Sequence, residues 1–163
     1  MDAAFKEFIV RIIEREGGSR ITRDPDDPGG VTKYGISKRA HKDVDIENLT
    51  YDQAVKIYYK HYYKPSKANK LPADLQEQYL DMVINIGYPN GAKTLQRASN
   101  AKGKDMLVVD GKIGPKTIAA VKRSKLEPGR LAAYRILYYA KICQRKPTLY
   151  KYYYGWFRRT VEV

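Results

Sequence analysis

Apolar residues recur every three or four positions over much of the chain, which is the spacing of amphipathic helices. The first stripe predicts a helix over residues 3–16 and consists of Phe5, Phe8, Ile9, Ile12 and Ile13. Asp2 is placed to cap its start, and Gly17-Gly18 is placed to end it. The same spacing predicts further helices over residues 51–63, 72–86, 90–100, 115–122 and 128–146. The pattern therefore predicts a mainly α protein.

Capping residues and breakers mark the limits of these helices. Thr50 and Gln53 have the spacing of a capping box, Pro65 is expected to end the helix that follows, and Asn90 is placed to cap another. The segment 128–146 is apolar on several sides, which predicts a largely buried helix. Residues 19–36 are rich in Pro, Gly and Asp, so we expect a loop there, with a short hairpin around residues 26–30.

The length and composition of the chain are sufficient for a hydrophobic core. With 163 residues, 43% of them hydrophobic, we expect one domain, or one domain with a small second lobe. Cys143 is the only cysteine, so no intramolecular disulfide can form, and its apolar surroundings predict a buried, inert thiol. No run approaches the roughly 20 apolar residues of a membrane span, and the first residues lack the apolar region of a signal peptide.

The net charge of +13 is unevenly distributed. Residues 1–90 hold 14 Lys or Arg and 14 Asp or Glu, whereas residues 91–163 hold 17 and 4. A basic segment of this kind indicates an anionic polymer as partner, such as a cell-wall polymer, nucleic acid or a membrane surface, or else a well-solvated surface. His41 and His61 are too far apart in sequence for a zinc motif, so we expect no metal site.

Glu16 is the first candidate for chemistry, because it ends an apolar helix and is followed by a loop dense in acids and glycine. Cleavage of a glycosidic bond needs one carboxylic acid to protonate the leaving oxygen. It also needs a second carboxylate that activates water or stabilises the sugar cation. A glutamate at the end of a rigid helix, beside an acidic loop, can meet that requirement. The alternative is a helix-end glutamate that pairs with Arg15, Arg20 or Arg23.

Two segments resemble the signature of glycoside hydrolase family 108, namely Glu16-Gly17-Gly18 and the loop Asp24-Pro25-x-Asp27-Pro28-Gly29-Gly30-x-Thr32-x-x-Gly35-Ile36. Residues 80–87 are similar to a second family segment. Residues 95–98 and 110–117 are similar to the predicted peptidoglycan-binding part that usually follows. The resemblance covers nearly the whole chain in the expected order.

This resemblance implies an α-helical, lysozyme-like catalytic lobe and an N-acetylmuramidase of the kind found in phage endolysins and in bacterial proteins called secretion activators. Glu16 matches the catalytic glutamate of the family. Asp27 and Thr32 are similar to the Asp and Thr that flank the attacking water in phage lysozymes. Asp24 is the rival second carboxylate and otherwise a substrate-binding candidate, and Asp26 is the weaker choice. Asp24 and Asp27 also suit turns before proline.

Further candidates concern substrate binding. Tyr34 lies inside the motif loop and is expected to stack on a sugar ring. Less specific candidates for the same role are Tyr62, Tyr88 and Trp156. Asp81 and Asn85 stand four residues apart on one helix, where Asn85 is expected to bind an acetamido group or line the cleft. The alternative for this pair is a solvated helix face.

We therefore predict a peptidoglycan hydrolase that cleaves the β-1,4 bond between N-acetylmuramic acid and N-acetylglucosamine. Its catalytic lobe is predicted over residues 1–92 and a basic helical peptidoglycan-binding lobe over residues 93–163, packed as one compact unit. The expected partners are peptidoglycan and anionic wall polymers, with no specific nucleic acid, membrane insertion, metal or organic cofactor, and the expected state is a monomer.

Since no signal peptide is evident, we expect synthesis in the cytoplasm and release through a holin pore or dedicated export. The enzyme would then act on the cell wall or in the periplasm, in cell lysis or in wall remodelling for protein release. The alternative is a non-catalytic basic protein that binds the cell wall or nucleic acid.

Overall fold

The computed structural model of the chain describes residues 1–23, 30–102 and 106–163. The chain folds into two compact units, Met1–His61 and Tyr62–Val163. Helices dominate both units, which confirms the predicted mainly α fold. No helix in the described part of the chain has both the length and the apolar character needed to cross a membrane. The predicted division into residues 1–92 and 93–163 stays a prediction.

In its described residues, the first unit contains two α-helices and a small hairpin. Its elements are α1 (Ala3–Arg15), β1 (Thr32–Lys33), β2 (Ile36–Ser37) and α2 (Tyr51–Tyr58). The predicted stripe of α1 supplies its core, since Phe5, Ile9, Ile12 and Ile13 are buried. As predicted, Asp2 caps α1, with its Oδ1 accepting from the Phe5 amide at 2.9 Å.

The predicted capping box of α2 is also confirmed. Thr50 Oγ1 accepts from the Gln53 amide at 3.3 Å, and Gln53 Oε1 accepts from the Thr50 amide at 2.9 Å. The chain continues from α2 through a π-helical segment, Tyr59–Tyr63, into the short helix α3 (Lys64–Ser66). Pro65 therefore lies inside the last helical turn rather than ending the helix before it. A proline has no amide hydrogen to donate, and the π-helical bonds precede it.

The second unit is a helical assembly. After a 3₁₀ turn (Ala68–Lys70), it contains α4 (Ala73–Ile86), α5 (Tyr88–Asn100), α6 (Pro115–Arg123) and α7 (Pro128–Arg145). A 3₁₀ turn (Pro147–Leu149) then leads into α8 (Tyr150–Val161). Helix α4 packs on α5, α5 on α7, and α7 on α8. Their shared core consists of Leu75, Tyr79, Leu80, Met82, Val83, Leu95, Leu131, Tyr139 and Cys143, so the buried thiol is confirmed.

Residues 32–37 form the hairpin β1–β2, with Thr32 opposite Ser37, in the region where a loop with a short hairpin is expected; of the hairpin expected at residues 26–30, residues 26–29 lie outside the described residues. Two other expectations about local structure were wrong. Asn90 does not cap α5, because the helix begins at Tyr88 after Gly87 and the Asn90 side-chain Nδ2 donates to the Ile86 carbonyl. Helix α7 is not buried on several sides, since only one stripe is buried (Leu131, Arg135, Tyr139 and Cys143).

Candidate active site

Glu16 is the residue that terminates α1. The Gly18 amide donates to the Ile13 carbonyl at 3.0 Å, and the Gly17 amide donates to the Glu14 carbonyl at 3.1 Å. This pair of bonds is a Schellman motif, and it requires the left-handed backbone that Gly17 adopts at φ 94°. The glycines after Glu16 therefore fix its backbone to the end of a helix anchored by buried Ile12 and Ile13.

The turn of the hairpin β1–β2 packs directly on Glu16. A Cβ added at Gly35 would lie 2.6 Å from Glu16 Cβ and 2.8 Å from Glu16 Cγ, and closer still to the Tyr58 hydroxyl. Only a residue without a side chain fits there. Gly35 also has a φ of 73°, a left-handed conformation that favours glycine. The motif glycine thus lets the hairpin approach the stem of the predicted catalytic acid.

Two hydrogen bonds hold this turn in place. The Tyr34 amide donates to the Gly18 carbonyl at 3.0 Å, which ties the turn to the end of α1. The Tyr58 hydroxyl donates to the Tyr34 carbonyl at 2.9 Å, which ties it to α2. Tyr58 is 1% exposed, so this second bond is shielded from water. The hairpin β1–β2 and helix α2, both distant from Glu16 in sequence, therefore hold the local backbone at Glu16 in place.

The side chains of Tyr34 and Thr32 lie on the same hairpin. Tyr34 is half-buried, has a φ of 52°, and its ring meets Tyr51 edge-on at 6.0 Å between centroids. The Lys33 ammonium lies 5.6 Å from the centre of the Tyr34 ring. Thr32 pairs with Thr22 through backbone bonds of 3.0 Å in both directions. Sugar stacking by Tyr34 and water positioning by Thr32 stay predictions.

The predicted second carboxylates cannot be placed against Glu16. Asp24 and Asp27, like Asp26, lie outside the described residues. The choice between Asp27 and Asp24 therefore stays open, and so does the stereochemical outcome, which depends on the separation of the two carboxyl groups. Within the described residues, no cluster of His, Cys, Asp and Glu side chains could hold a metal ion.

Asp81 lies in the second unit, where it is fully buried. Its Oδ2 lies 2.7 Å from Arg135 Nη1, and its Oδ1 accepts from Arg159 Nη2 at 2.8 Å. Burial alone would raise the pKa of Asp81, but the hydrogen bonds from Arg159 and the charge of Arg135 outweigh it and hold the pKa below its ordinary value. The described geometry gives Asp81 a structural role, and its predicted contact with substrate stays a prediction.

Asn85 follows Asp81 by one helical turn and is joined to the same network. Arg135 Nε donates to the Tyr139 hydroxyl at 3.0 Å, and that hydroxyl donates to Asn85 Oδ1. Because the Tyr139 oxygen already accepts from Arg135, its single proton is directed at Asn85, which must offer its oxygen. The amide nitrogen of Asn85 is thereby left to donate elsewhere. Asn85 is exposed, so its donor can meet a carbonyl or hydroxyl of a ligand.

Two family descriptions match the chain in sequence. Residues 9–87 match Glycosyl hydrolase 108, and residues 90–161 match Predicted Peptidoglycan domain. Residues 9–87 belong to glycoside hydrolase family 108. The resemblance found in the sequence is thereby confirmed.

The family 108 chain is also similar to a solved structure, that of Brucella abortus SagA. The two share 27% sequence identity and superpose with a TM-score of 0.77 over 97% of this chain and 90% of that chain. The lysozyme-like fold predicted from the resemblance is confirmed by this match. A search of curated proteins gives no match. Together the two domains identify a glycoside hydrolase that acts on peptidoglycan.

The predicted aromatic residues of the second unit make contacts within the family 108 fold. Trp156 stacks between Tyr139 and Tyr152, with centroid distances of 5.0 and 5.9 Å. The Tyr88 hydroxyl accepts from the Ile113 amide at 3.1 Å. These contacts give both residues a part in packing, and stacking on sugar stays a prediction for them and for Tyr62.

Several residues that shape these surroundings were not predicted from the sequence, above all Tyr58, Arg135, Tyr139 and Arg159. One signal was present in the sequence. Asp81 and Asn85 are four residues apart on α4, and Arg135 and Tyr139 are four residues apart on α7. When two helices pack side by side, the residues of two such complementary polar pairs can contact each other at successive helical turns. The sequence pattern does not show which helices are neighbours, so the contact between these two pairs could be identified only from the fold.

Proposed function

We propose that this family 108 enzyme is an N-acetylmuramidase that cleaves the β-1,4 bond between N-acetylmuramic acid and N-acetylglucosamine. Glu16 protonates the glycosidic oxygen as general acid. The observation that carries the assignment is the packing at Glu16, where Gly35 leaves no room for a side chain beside Glu16 Cβ. A helix-end glutamate with only a surface role would not require a neighbouring loop to approach its stem so closely.

The second half of the reaction needs a carboxylate opposite Glu16. We assign it to Asp27, with Asp24 as the rival, and give Thr32 the task of positioning the attacking water. The chain supplies these groups itself, so the proposed reaction uses acid and base side chains and water alone. Exchange of each aspartate for asparagine separates the two candidates, because only the catalytic one will reduce kcat by orders of magnitude.

The biological setting is part of the same proposal. The substrate lies outside the cytoplasm, so the enzyme acts on the wall or in the periplasm after release through a holin pore or dedicated export. Its role is lysis of the cell or local opening of the wall for protein release. The match of residues 90–161 to a peptidoglycan domain supports a wall-bound enzyme.

The decisive experiment compares wild type, Glu16→Gln and a matched control, Glu14→Gln. Glu14 lies two residues earlier in α1, is exposed, and loses the same charge in the exchange. Turbidity loss of purified peptidoglycan is followed, and the products are reduced with borohydride and identified by mass spectrometry. We expect reduced N-acetylmuramic acid ends from wild type and Glu14→Gln, with none from Glu16→Gln.

Other outcomes contradict specific parts of the proposal. Reduced N-acetylglucosamine ends would show that the enzyme cuts the other glycosidic bond. Full activity of Glu16→Gln would remove Glu16 from the mechanism. A folded wild type that cleaves no wall preparation would favour the alternative, a non-catalytic basic binder, which the surplus of 17 Lys or Arg over 4 Asp or Glu in residues 91–163 supports. Such a binder would lose affinity for any polyanion steeply with rising salt.

A further inference from the structure

A basic pocket lies between α5 and α7 in the second unit. Its volume is about 280 Å³, near the lower end of small-molecule sites, which span roughly 300–1,000 Å³. Helix α5 contributes Lys93 and Arg97, and α7 contributes Lys141 and Arg145. Tyr134 and Tyr138 of α7 complete the wall beside them. No acidic residue of the described chain lines the pocket, so four cations face one space without an internal counter-charge.

The acids of the same segment are engaged elsewhere. Among the described residues after 90, Asp110 accepts from Gln96 Nε2 at 2.7 Å, Glu127 pairs with Lys102 at 2.6 Å, and Glu162 pairs with Arg158 at 2.8 Å. Within the described part of the chain, no ion pair reaches the four cations of the pocket. Their charge is therefore available to a ligand.

This arrangement is unfavourable for the helices themselves. Lys93 and Arg97 are four residues apart on α5, and Lys141 and Arg145 are four residues apart on α7, so each pair sets like charges side by side. The two pairs then face each other across the pocket, which adds to the repulsion. A fold that only needed solubility could distribute these charges without that cost. A bound anion would reduce the repulsion among these four cations.

We propose that this pocket binds the carboxylates of peptidoglycan peptide stems. The proposal rests on peptidoglycan as the substrate of the proposed muramidase, and all of the pocket lies within the residues that match the peptidoglycan domain. Glycan strands whose lactyl groups carry peptides are uncharged, so the anionic groups of peptidoglycan itself are the stem carboxylates. Two facing pairs of cations suit two such groups, and arginine binds a carboxylate with two parallel hydrogen bonds. The tyrosine rings offer apolar surface to the short aliphatic side chains of a stem.

The test measures binding of a synthetic stem peptide, L-Ala-γ-D-Glu-L-Lys-D-Ala-D-Ala, by calorimetry at low salt. The peptide is acetylated at its α-amino group and at the lysine Nε, so that its two carboxylates are its only charges, and an analogue with both carboxylates amidated serves as the uncharged probe. The pocket variant is Arg97→Gln/Lys141→Gln, which removes one charge from each helix. Its matched control is Lys116→Gln/Lys122→Gln on α6, where both lysines are exposed, lie outside the pocket and give the same change in net charge.

We expect wild type and the α6 control to bind the charged peptide equally, and the pocket variant to bind it roughly tenfold more weakly or worse. The amidated analogue should bind none of the three proteins measurably. Thermal unfolding of the pocket variant should occur at or above the wild-type temperature, because each exchange relieves a like-charge pair. Arg97→Lys, which keeps the charge but loses the two parallel hydrogen bonds, should weaken binding less than the double exchange.

Four results would overturn the assignment. They are no binding by wild type, equal loss in the α6 control, equal binding of the amidated analogue, and pocket-dependent binding of poly(glycerol phosphate) without binding of the peptide. The peptide contains no glycosidic bond, so the result is independent of Glu16. Loss of wall cleavage with intact peptide binding would therefore contradict the muramidase proposal alone.

Discussion

The glycines at positions 30 and 35 allow a sharp test of how the hairpin positions Glu16. Both adopt left-handed backbone, with φ of 68° at Gly30 and 73° at Gly35. They differ in surroundings: no described atom lies within 4 Å of a Cβ placed at Gly30, whereas a Cβ at Gly35 meets Glu16 and Tyr58. Exchange of each glycine for alanine therefore applies the same backbone cost at both positions and a steric cost at one of them.

The expected magnitudes follow from these two costs. A left-handed alanine costs about 1 kcal/mol relative to glycine, so Gly30→Ala should lower the free energy of unfolding by about that amount. At Gly35 the 2.6 Å approach to Glu16 Cβ is 0.8 Å shorter than the 3.4 Å at which ordinary contact begins. Forcing atoms apart in a packed region costs a further ~1–3 kcal/mol. Gly35→Ala should therefore be destabilising by about 2–4 kcal/mol.

Activity should separate the two variants further. Since the neighbours of Gly35 must move by several tenths of an ångström, Glu16 loses its position, and a 1 Å misplacement of a catalytic group can reduce the rate by roughly 100-fold. We expect Gly30→Ala to keep nearly full hydrolysis of peptidoglycan at a temperature where both variants are folded, and Gly35→Ala to lose most of kcat. Urea unfolding and turbidimetry measure the two effects.

The reasoning fails if the two variants behave alike. Equal stability would show that the hairpin turn adjusts without strain at Gly35. Equal kcat, with Gly35→Ala clearly less stable, would show that the position of the Glu16 stem does not matter for the reaction. Either result would remove the structural argument that links the motif glycine to the catalytic glutamate.

Three further changes test the polar interior of the second unit by urea unfolding. Asp81→Asn should lower the free energy of unfolding by about 3–5 kcal/mol at neutral pH, because Arg135 is left as a buried charge. Since the folded pKa of Asp81 lies below its ordinary 3.8, the wild-type advantage should persist above that value and shrink as the pH falls through the folded pKa. Tyr79→Phe should be neutral or stabilising, because the buried Tyr79 hydroxyl has no hydrogen-bond partner among the described residues. Its matched control, Tyr139→Phe, should lower the free energy of unfolding by about 1–3 kcal/mol, because it breaks the bonds to Arg135 and Asn85. A larger loss of stability in Tyr79→Phe than in Tyr139→Phe would contradict the network.

The parts of this fold that could be predicted are those that depend on near neighbours in sequence. The Asp2 cap, the apolar stripe of α1 and the capping box at Thr50 each involve residues within a few positions of one another, and all three were found. The position of Glu16 at the helix end followed from Gly17-Gly18 for the same reason. Local hydrogen bonding and periodicity determine these features almost independently of the rest of the chain.

The features that could not be predicted depend on tertiary contacts. Helix α8 buries only Thr160, and its aromatic residues are interleaved with cations, so contacts with α7 rather than burial of an apolar stripe position it. The hairpin turn uses Tyr34 at positive φ, where the common turn signal would be Asn or Gly. Tyr34 is accepted there because its amide donates to the Gly18 carbonyl and its carbonyl accepts from the Tyr58 hydroxyl, which constrains its backbone. Nothing near it in sequence indicates those partners.

The charge of the second unit has two separate roles, which composition alone could not distinguish. Asp81 comes from the charge-balanced first part of the sequence, and it forms ion pairs with Arg135 and Arg159 of the basic part inside one compact unit. Arg135 is fully buried, so without Asp81 the interior would hold an uncompensated cation. Helix α4 is therefore required by the fold of the segment that follows it, although it belongs to the glycosyl hydrolase match in sequence. The four cations in the pocket between α5 and α7 make no ion pair within the described part of the chain, so they are the ones that can serve binding.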